Sequence, residues 1–424
     1  MKRSIYFAAL LLAGAVSFQS CTKDQCQETF IYYEQVPVYM SMNEIQTDIQ
    51  NEAPQALVRP GGLYFYNDLV LINESFKGIH ILDNSNPSNP VPLSFIPIPC
   101  NGDMAVRGNI LYVDNCTDLL AIDISDPLAV ELLSRNENVF TDNIWFDESQ
   151  GKYLVYYDLV KREVIQDCQT PPPTTNMFWG FRNVDVLAET AFDDQIGGGD
   201  VGVGGSMARF TLAKDHLYMV SDFNLKVFNL DNPLQPAETS TINLGWGIET
   251  IIPHGNELFI GSNSGMFIFD NTDPANPVEL SRLAHATACD PVFVKDNFAY
   301  VTLREGSFCQ GFDNQLDLID ISDLRNPVLV KSFSMDNPHG LSIDENDLFL
   351  CEGRHGLKVF DITNPEKLNN NRLDWVKDLH AYDVIVLPGD KKVAMVIGED
   401  GFYQYNFDNP ENLKLLSKIE VQSE

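Results

Sequence analysis

Seven times along the chain a short, mostly apolar run ends in Asp or Asn, crosses a polar turn and, in all but one case, closes on Pro. The copies read "GIHILDNSNP" (78–87), "DLLAIDISDP" (118–127), "NLKVFNLDNP" (224–233), "GMFIFDNTDP" (265–274), "QLDLIDISDL" (315–324), "GLKVFDITNP" (356–365) and "GFYQYNFDNP" (401–410). An Asp or Asn side chain can accept a hydrogen bond from its own backbone two residues on, and Pro has no N–H to continue a ladder. Each phrase therefore predicts a strand and its stop. Upstream lie hairpin patterns such as "MAVRGNILYVDN" (104–115), "VFVKDNFAYVTL" (292–303) and "GLSIDENDLFLC" (340–351), with Gly, Asn or Asp at the bend. Downstream comes one more apolar run, as in "VELLSR" (130–135) or "VLVKSF" (328–333). The unit is four short antiparallel strands.

The interval between the phrase endings at 127 and 233 is wide enough for two units. Within it, "DNIWFDESQGKYLVYYDLVKREVIQ" (142–166) supplies a hairpin and a further strand without the closing turn. Counting it predicts eight blades, with seven as the alternative. Strands such as "YLVYY" and "FAYV" are apolar on both faces, as expected where each sheet packs between two others. A four-stranded unit repeated in this way predicts an all-β chain folded as a β-propeller over residues 57–424. Two regions break the repeat. Residues 167–206, rich in Pro and Gly, read as a long irregular loop. Residues 21–56 read as a tether whose extended segment "FIYYEQVPVYM" (30–40) is expected to lie alongside the first or last blade and close the ring.

The first twenty residues change the picture from fold to address. Lys2 and Arg3 precede an apolar run from Ile5 to Val16, the form of a secretory signal over residues 1–20. The run is too short to span a bilayer as a permanent helix. Cys21 stands where a lipoprotein signal places its acylated cysteine. Phe18 and Gln19 depart from the usual small-residue lipobox, and the segment resembles the relaxed lipoboxes of Bacteroidota lipoproteins, with Lys23–Asp24 similar to their export tag. That resemblance implies an outer-membrane lipid anchor and display at the cell surface. The formal charge of −32 excludes nucleic acid and leaves the lipid as the link to a membrane.

The strands that read "DLLAIDI" (118–124) and "QLDLIDI" (315–321) resemble the signature strand of the LVIVD-repeat proteins. The resemblance runs from "PVYMS" (37–41) through "GGSMARF" and "CDPVFV" to "NPHGLSI". It implies a bacterial envelope or surface protein and assigns no activity.

In a propeller the innermost strands all start at one mouth of the central channel. Aligning those starts brings Asp103, Asp142, Glu249, Asp290, His339 and Asp383 to that mouth, with Arg209 as a counter-charge. Such a ring could grip a polar ligand or hold a divalent cation such as calcium through oxygen ligands; it could also be an array of turn caps. No motif for a resident cofactor or a nucleophile is present. Cys100 and Cys116 flank one hairpin, and Cys289 and Cys309 hold similar places in another; each pair could form a disulfide at the same mouth. Cys351, without such a partner, reads as a buried thiol. These features lead to a rigid envelope binding module for a protein or glycan. The alternatives are a hydrolase or lyase at the acidic mouth, or a periplasm-facing scaffold for outer-membrane assembly.

Overall fold

The apolar runs form strands, and each closing Asp or Asn stops the third strand of a sheet. In this computed structural model, which describes residues 27–141, 144–167, 201–284, 291–304, 314–387 and 391–422, Asp83 Oδ1 accepts the N–H of Ser85 at 2.9 Å. The same bond recurs from Asp123 to Ser125, Asn229 to Asp231, Asp270 to Thr272, Asp320 to Ser322, Asp361 to Thr363 and Asn406 to Asp408. Hydrogen bonds from the Ser or Thr two residues on hold Asp83, Asp270 and Asp320 below the ordinary carboxylate range. All seven phrases thus become one Asx turn.

Seven antiparallel sheets carry this turn, and they span 60–97, 104–136, 210–243, 248–284, 292–334, 341–376 and 381–420. We call them blades 1 to 7. Blade 4 is typical, with strands Ile248–His254, Glu257–Ser262, Gly265–Asp270 and Val278–Ala284 in spatial sequence. The inner strand of each blade lies beside that of the next, and the seventh beside the first. The circuit is closed. Between blades 3 and 4, Tyr218, Leu225 and Val227 pack with Ile251, Leu258, Ile260 and Phe267 in one buried cluster, so both faces of a blade are apolar as the pattern requires.

Polar clasps set the blades against one another. The single O–H of Tyr218 in blade 3 is shared between Pro274 O in the turn of blade 4, at 3.0 Å, and Asn271 Oδ1, at 2.9 Å. Tyr112 of blade 2 donates to Pro233 O, Ser94 of blade 1 to Pro127 O, Ser281 of blade 4 to Leu324 O, and Lys331 of blade 5 to Glu366 O. Across the closure, Ser417 and Gln404 of blade 7 donate to Pro87 O of blade 1. In five of the seven turns the carbonyl that ends the turn is therefore the grip for the preceding blade. The Tyr112–Pro233 clasp joins blades 2 and 3 directly, although residues 137–209 lie between them in sequence.

Among the described residues there are eight sheets, and the eighth is not built like a blade. Trp145–Asp147 pairs with Lys152–Leu154, and the long strand Lys152–Asp167 is flanked on its other side by Gln27–Met40. The seven-blade alternative is the one the inner strands realise. The stretch at 142–166 lacks the Asx-Pro stop, and its strand runs on for 16 residues instead of folding back. By contacts, the described residues 27–38 and 156–167 belong to one compact unit and the other described residues to a second. Within the smaller unit Arg162 pairs with Glu34 at 2.7 Å.

The expectation for residues 30–40 is corrected: that segment pairs with Lys152–Asp167, not with the first or last blade. Residues 51–58 take the closing role. Glu52 bridges Phe95 on the outer strand of blade 1, and Leu57 bridges Val421 at the end of blade 7. The long loop is corrected at its C-terminal end, because Val203–Gly204 forms a strand on Tyr64 and Phe65, on the inner side of blade 1.

Replacing Tyr218 by Phe removes the one O–H shared by the buried Asn271 Oδ1 and the half-buried Pro274 O. Urea unfolding is expected to show a loss of about 1–3 kcal/mol. An unchanged midpoint would mean the clasps are incidental to blade packing.

Candidate functional site

Inner strands begin, and second strands end, at one mouth of the ring. Five of the residues expected there are described. Asp103, Arg209, His339 and Asp383 are buried, and Glu249 is half-buried. Asp142 and Asp290 lie outside the described residues, as do Cys289 and Cys309.

The buried residues meet through residues 201–210, which run along the inner side of the ring. Gly202 N–H donates to Val106 O of blade 2. Ser206 Oγ accepts Leu341 N–H of blade 6 at 2.7 Å and lies 3.4 Å from Asp383 Oδ1 of blade 7. Asp103 Oδ2 accepts the N–H groups of Arg209 and Phe210, the latter at 2.8 Å, while Oδ1 accepts Met104 N–H at 2.7 Å. Two glycines permit this close approach. A Cβ on Gly205 would fall 1.7 Å from Asp383 Oδ2, and one on Gly340 would fall 1.8 Å from Oδ1. The segment plugs the channel.

Burial controls the protonation of these groups. It pushes the Asp103 carboxyl up to about 8, outweighing three N–H bonds and helped by the nearby charge of Asp114. Burial likewise pushes Asp383 up to about 7, and its Oδ2 has no hydrogen-bond partner. His339 is held well below the ordinary imidazole range by burial and by the charges of Arg304 and His380; its Nε2 meets Asn337 Oδ1 at 2.9 Å. Burial opposes the charge of Arg209, but Asp222, Glu249 and Asp103 outweigh it. The Arg209 guanidinium donates to Asp222 Oδ1 at 2.5 Å, Ile248 O at 3.2 Å and Val220 O at 3.3 Å.

Among the described residues, Asp103, Arg209, His339 and Asp383 are engaged in internal bonds and do not form an open ring of ligands. Among the described residues no group of three His, Cys, Asp or Glu side chains is placed to hold a metal ion. A cleft of about 420 Å³ lies at the opposite end, lined by residues such as Glu257, Asp270, Thr272 and Arg325 that serve the hairpins and turns there. Cys100 and Cys116 are joined by a disulfide across a sequence separation of 16, with Cα atoms 4.8 Å apart. Cys351 is a free, buried thiol, and burial raises its pKa well above the ordinary value.

Sequence reasoning missed two kinds of residue. Second-strand ends supply buried carboxylates: Asp114 accepts the N–H groups of Gly102 and Asp103, Glu352 pairs with Lys358 at 2.8 Å, and Glu74 meets His80 at 3.1 Å. The alignment of inner-strand starts did not extend to them. The other omission is aromatic. Trp246 is 59% exposed and Phe223 38% exposed, on the loop between blades 3 and 4 and the adjacent hairpin turn. The signal was the "GWG" at 245–247, a Trp between two residues that tolerate positive φ.

The Asp383 carboxyl makes stability depend on pH with a definite sign. Its folded pKa is raised, so its contribution is complete below about pH 4 and is lost as pH rises through about 7. Thermal unfolding is expected to show lower stability at pH 8.5 than at pH 5. Asp383→Asn, which places an uncharged amide at the unpartnered oxygen, should recover on the order of a few kcal/mol at pH 8.5. Equal pH slopes for the two proteins would count against a neutral Asp383.

The LVIVD repeat family matches residues 101–135 and 287–335, which cover blade 2 and blade 5. No curated protein sequence matches the chain. Among solved structures, the periplasmic gluconolactonase PpgL of Pseudomonas aeruginosa superposes with a TM-score of 0.51 at 10% identity, covering 88% of this chain and 97% of that one. BamB of Moraxella catarrhalis gives 0.49 at 8% identity over 89% and 98%, and Hsv2 of Kluyveromyces lactis 0.46 at 12% over 86% and 100%. At such identities the likeness is one of fold. The chain is a β-propeller that carries the LVIVD repeat.

Proposed function

We propose that the chain is a rigid propeller binding module for a protein or glycan partner, held at the outer membrane by a lipid on Cys21. The observation that carries this reading is the plugged channel. A hydrolase or lyase needs a carboxyl or imidazole that can reach a substrate atom and exchange a proton with it. At this mouth Asp103 and Asp383 hold the backbone of residues 206–210, and His339 is buried against Asn337. Binding then falls to the loops around the rim, carried on blades that the clasps hold together. A preformed surface loses little conformational entropy on association.

The anchor rests on the N-terminal pattern of Lys2, Arg3, the Ile5–Val16 apolar run and Cys21. Among the described residues no helix is long and apolar enough to cross a membrane. The charge of −32 disfavours direct binding to anionic headgroups, so the lipid is the attachment.

Affinity capture with the folded mature domain against envelope proteins and polysaccharides is expected to retain a specific, saturable partner that the heat-denatured domain does not retain. Failure to retain any would overturn the binding reading. In cells, palmitate labelling is expected and should vanish in Cys21→Ala. Protease added to intact cells should cleave the chain; full protection would favour the periplasm-facing scaffold.

A further inference from the structure

Resting on the binding-module reading, we infer that the rim of blade 6 around Trp375 is a binding site for the carboxylate groups of an acidic polysaccharide, with Arg372 and Lys377 as the side chains that hold them. Three cations surround one indole. Lys377 Nζ lies 4.0 Å from the centre of the Trp375 ring, Arg372 Cζ 4.7 Å and Lys358 Nζ 5.2 Å. The negative face of the ring attracts each of them, so like charges gather at one place.

The indole is fixed in position. Its Nε1–H donates to His355 O at 2.6 Å, on the loop between the second and third strands of blade 6. Within that loop Glu352 N–H donates to Gly356 O and His355 N–H to Glu352 O. Gly356 has a φ of +86°, and a Cβ there would fall 1.9 Å from Val376 O, so only glycine lets the loop lie this close to the outer strand Arg372–Val376. The cations are thus gathered before any ligand arrives, which lowers the ordering cost of association.

Pairing separates the three cations. Lys358 is buried, and its ammonium donates to Asp336 Oδ2 at 2.7 Å and to Glu352 Oε1 at 2.8 Å. Arg372 and Lys377 are exposed, and neither pairs with a carboxylate among the described residues. The acids around them are engaged elsewhere. Glu352 is buried and also accepts the N–H groups of Asp336 and Asn337. The bond to Lys358, with the charges of Lys358, His355 and Arg372, holds Asp336 below the ordinary carboxylate range. Asp374 accepts Trp375 N–H on one oxygen and Leu413 N–H on the other. Asp378, next to Lys377 in sequence, is exposed and lies near Tyr405 of blade 7.

Two unpaired cations therefore face solvent in one small area of a chain with 60 acidic and 28 basic residues. They repel a cationic ligand. Charges farther than about 8 Å away are largely screened at physiological salt, so these two, not the net charge, govern what binds between them. A guanidinium grips a carboxylate through two parallel N–H bonds, and an ammonium adds a compact point charge. A protein partner covers about 800 Å² on each side and would overlie much of the acidic surface beyond the cluster, whereas a polysaccharide chain is narrow enough to meet the cations alone.

The test is titration calorimetry of the full mature chain at about 0.15 M salt, with oligogalacturonate, dextran and polyglutamate as probes. Oligogalacturonate is expected to bind, with an affinity that falls as salt is raised. The affinity should drop at least about tenfold when Arg372→Ala and Lys377→Ala are combined, and be partly kept in Arg372→Lys. It should be unchanged in Lys414→Ala, which removes an exposed cation of blade 7. Thermal unfolding checks each variant; Arg372→Gln with Lys377→Gln, which keeps the side-chain bulk, replaces the alanines if they disturb the fold. Binding that survives the double variant, equal binding of dextran, binding of polyglutamate as tight as that of oligogalacturonate, or no binding of oligogalacturonate would each overturn the inference. If envelope capture succeeds while these titrations fail, the polysaccharide site falls and the binding module stands; if both fail, the module falls as well.

Discussion

The ring depends on the carbonyl that ends the Asx turn, gripped by the preceding blade in five of the seven blades. Apolar packing between blades is strong but non-directional, and two sheets with apolar faces can slide on one another at little cost. A buried hydroxyl or amide that must reach one particular carbonyl cannot slide, because losing the bond strands a polar group away from water. The turn makes that carbonyl available. Its Asp or Asn holds the backbone in place, Pro ends the ladder, and the free oxygen faces Tyr218, Tyr112, Ser94 or Ser417 of the blade before it. One local device thus ends a strand and registers the next blade. The same bond carries the circuit past residues 137–209 and across the closure from blade 7 to blade 1.

With the ring fixed, its axis becomes a space that must be filled or left wet. Residues 201–210 fill it, and their backbone donors find Asp103 and Asp383 where no strand is available to them. Two carboxyls are buried as a result, and their protonation becomes part of the fold's stability. At the rim Trp246 and Phe223 stand exposed, and Asp222 is paired with the buried Arg209.

Most of the fold was legible in the chain because it is written in short-range rules. Apolar runs, bend residues and the Asx-Pro phrase each act within about ten residues, so strands, their pairing and the repeat could be read directly. The strand starts that carry Asp103, Arg209, His339 and Asp383 were legible as positions, and all four side chains are buried. Their state was not, since an acid facing solvent and an acid capping a plug have the same spelling. Trp246 was legible only as a Trp between glycines.

What the sequence by itself determined was the repeated blade: four strands, one turn, apolar on both faces, with its stop encoded at every copy. What only the tertiary structure decided was which strands the unrepeated segments would join. The stretch at 142–166 had the hydrophobicity of a blade but no stop, so its long strand took Gln27–Met40 as neighbour, and seven blades closed without it. The glycines before Arg209 had no periodicity to declare a partner, and Gly205 lies against Asp383 where a Cβ would clash. A strand edge or an axial gap accepts whatever backbone reaches it, and which backbone reaches it is set by the closed ring, not by local pattern.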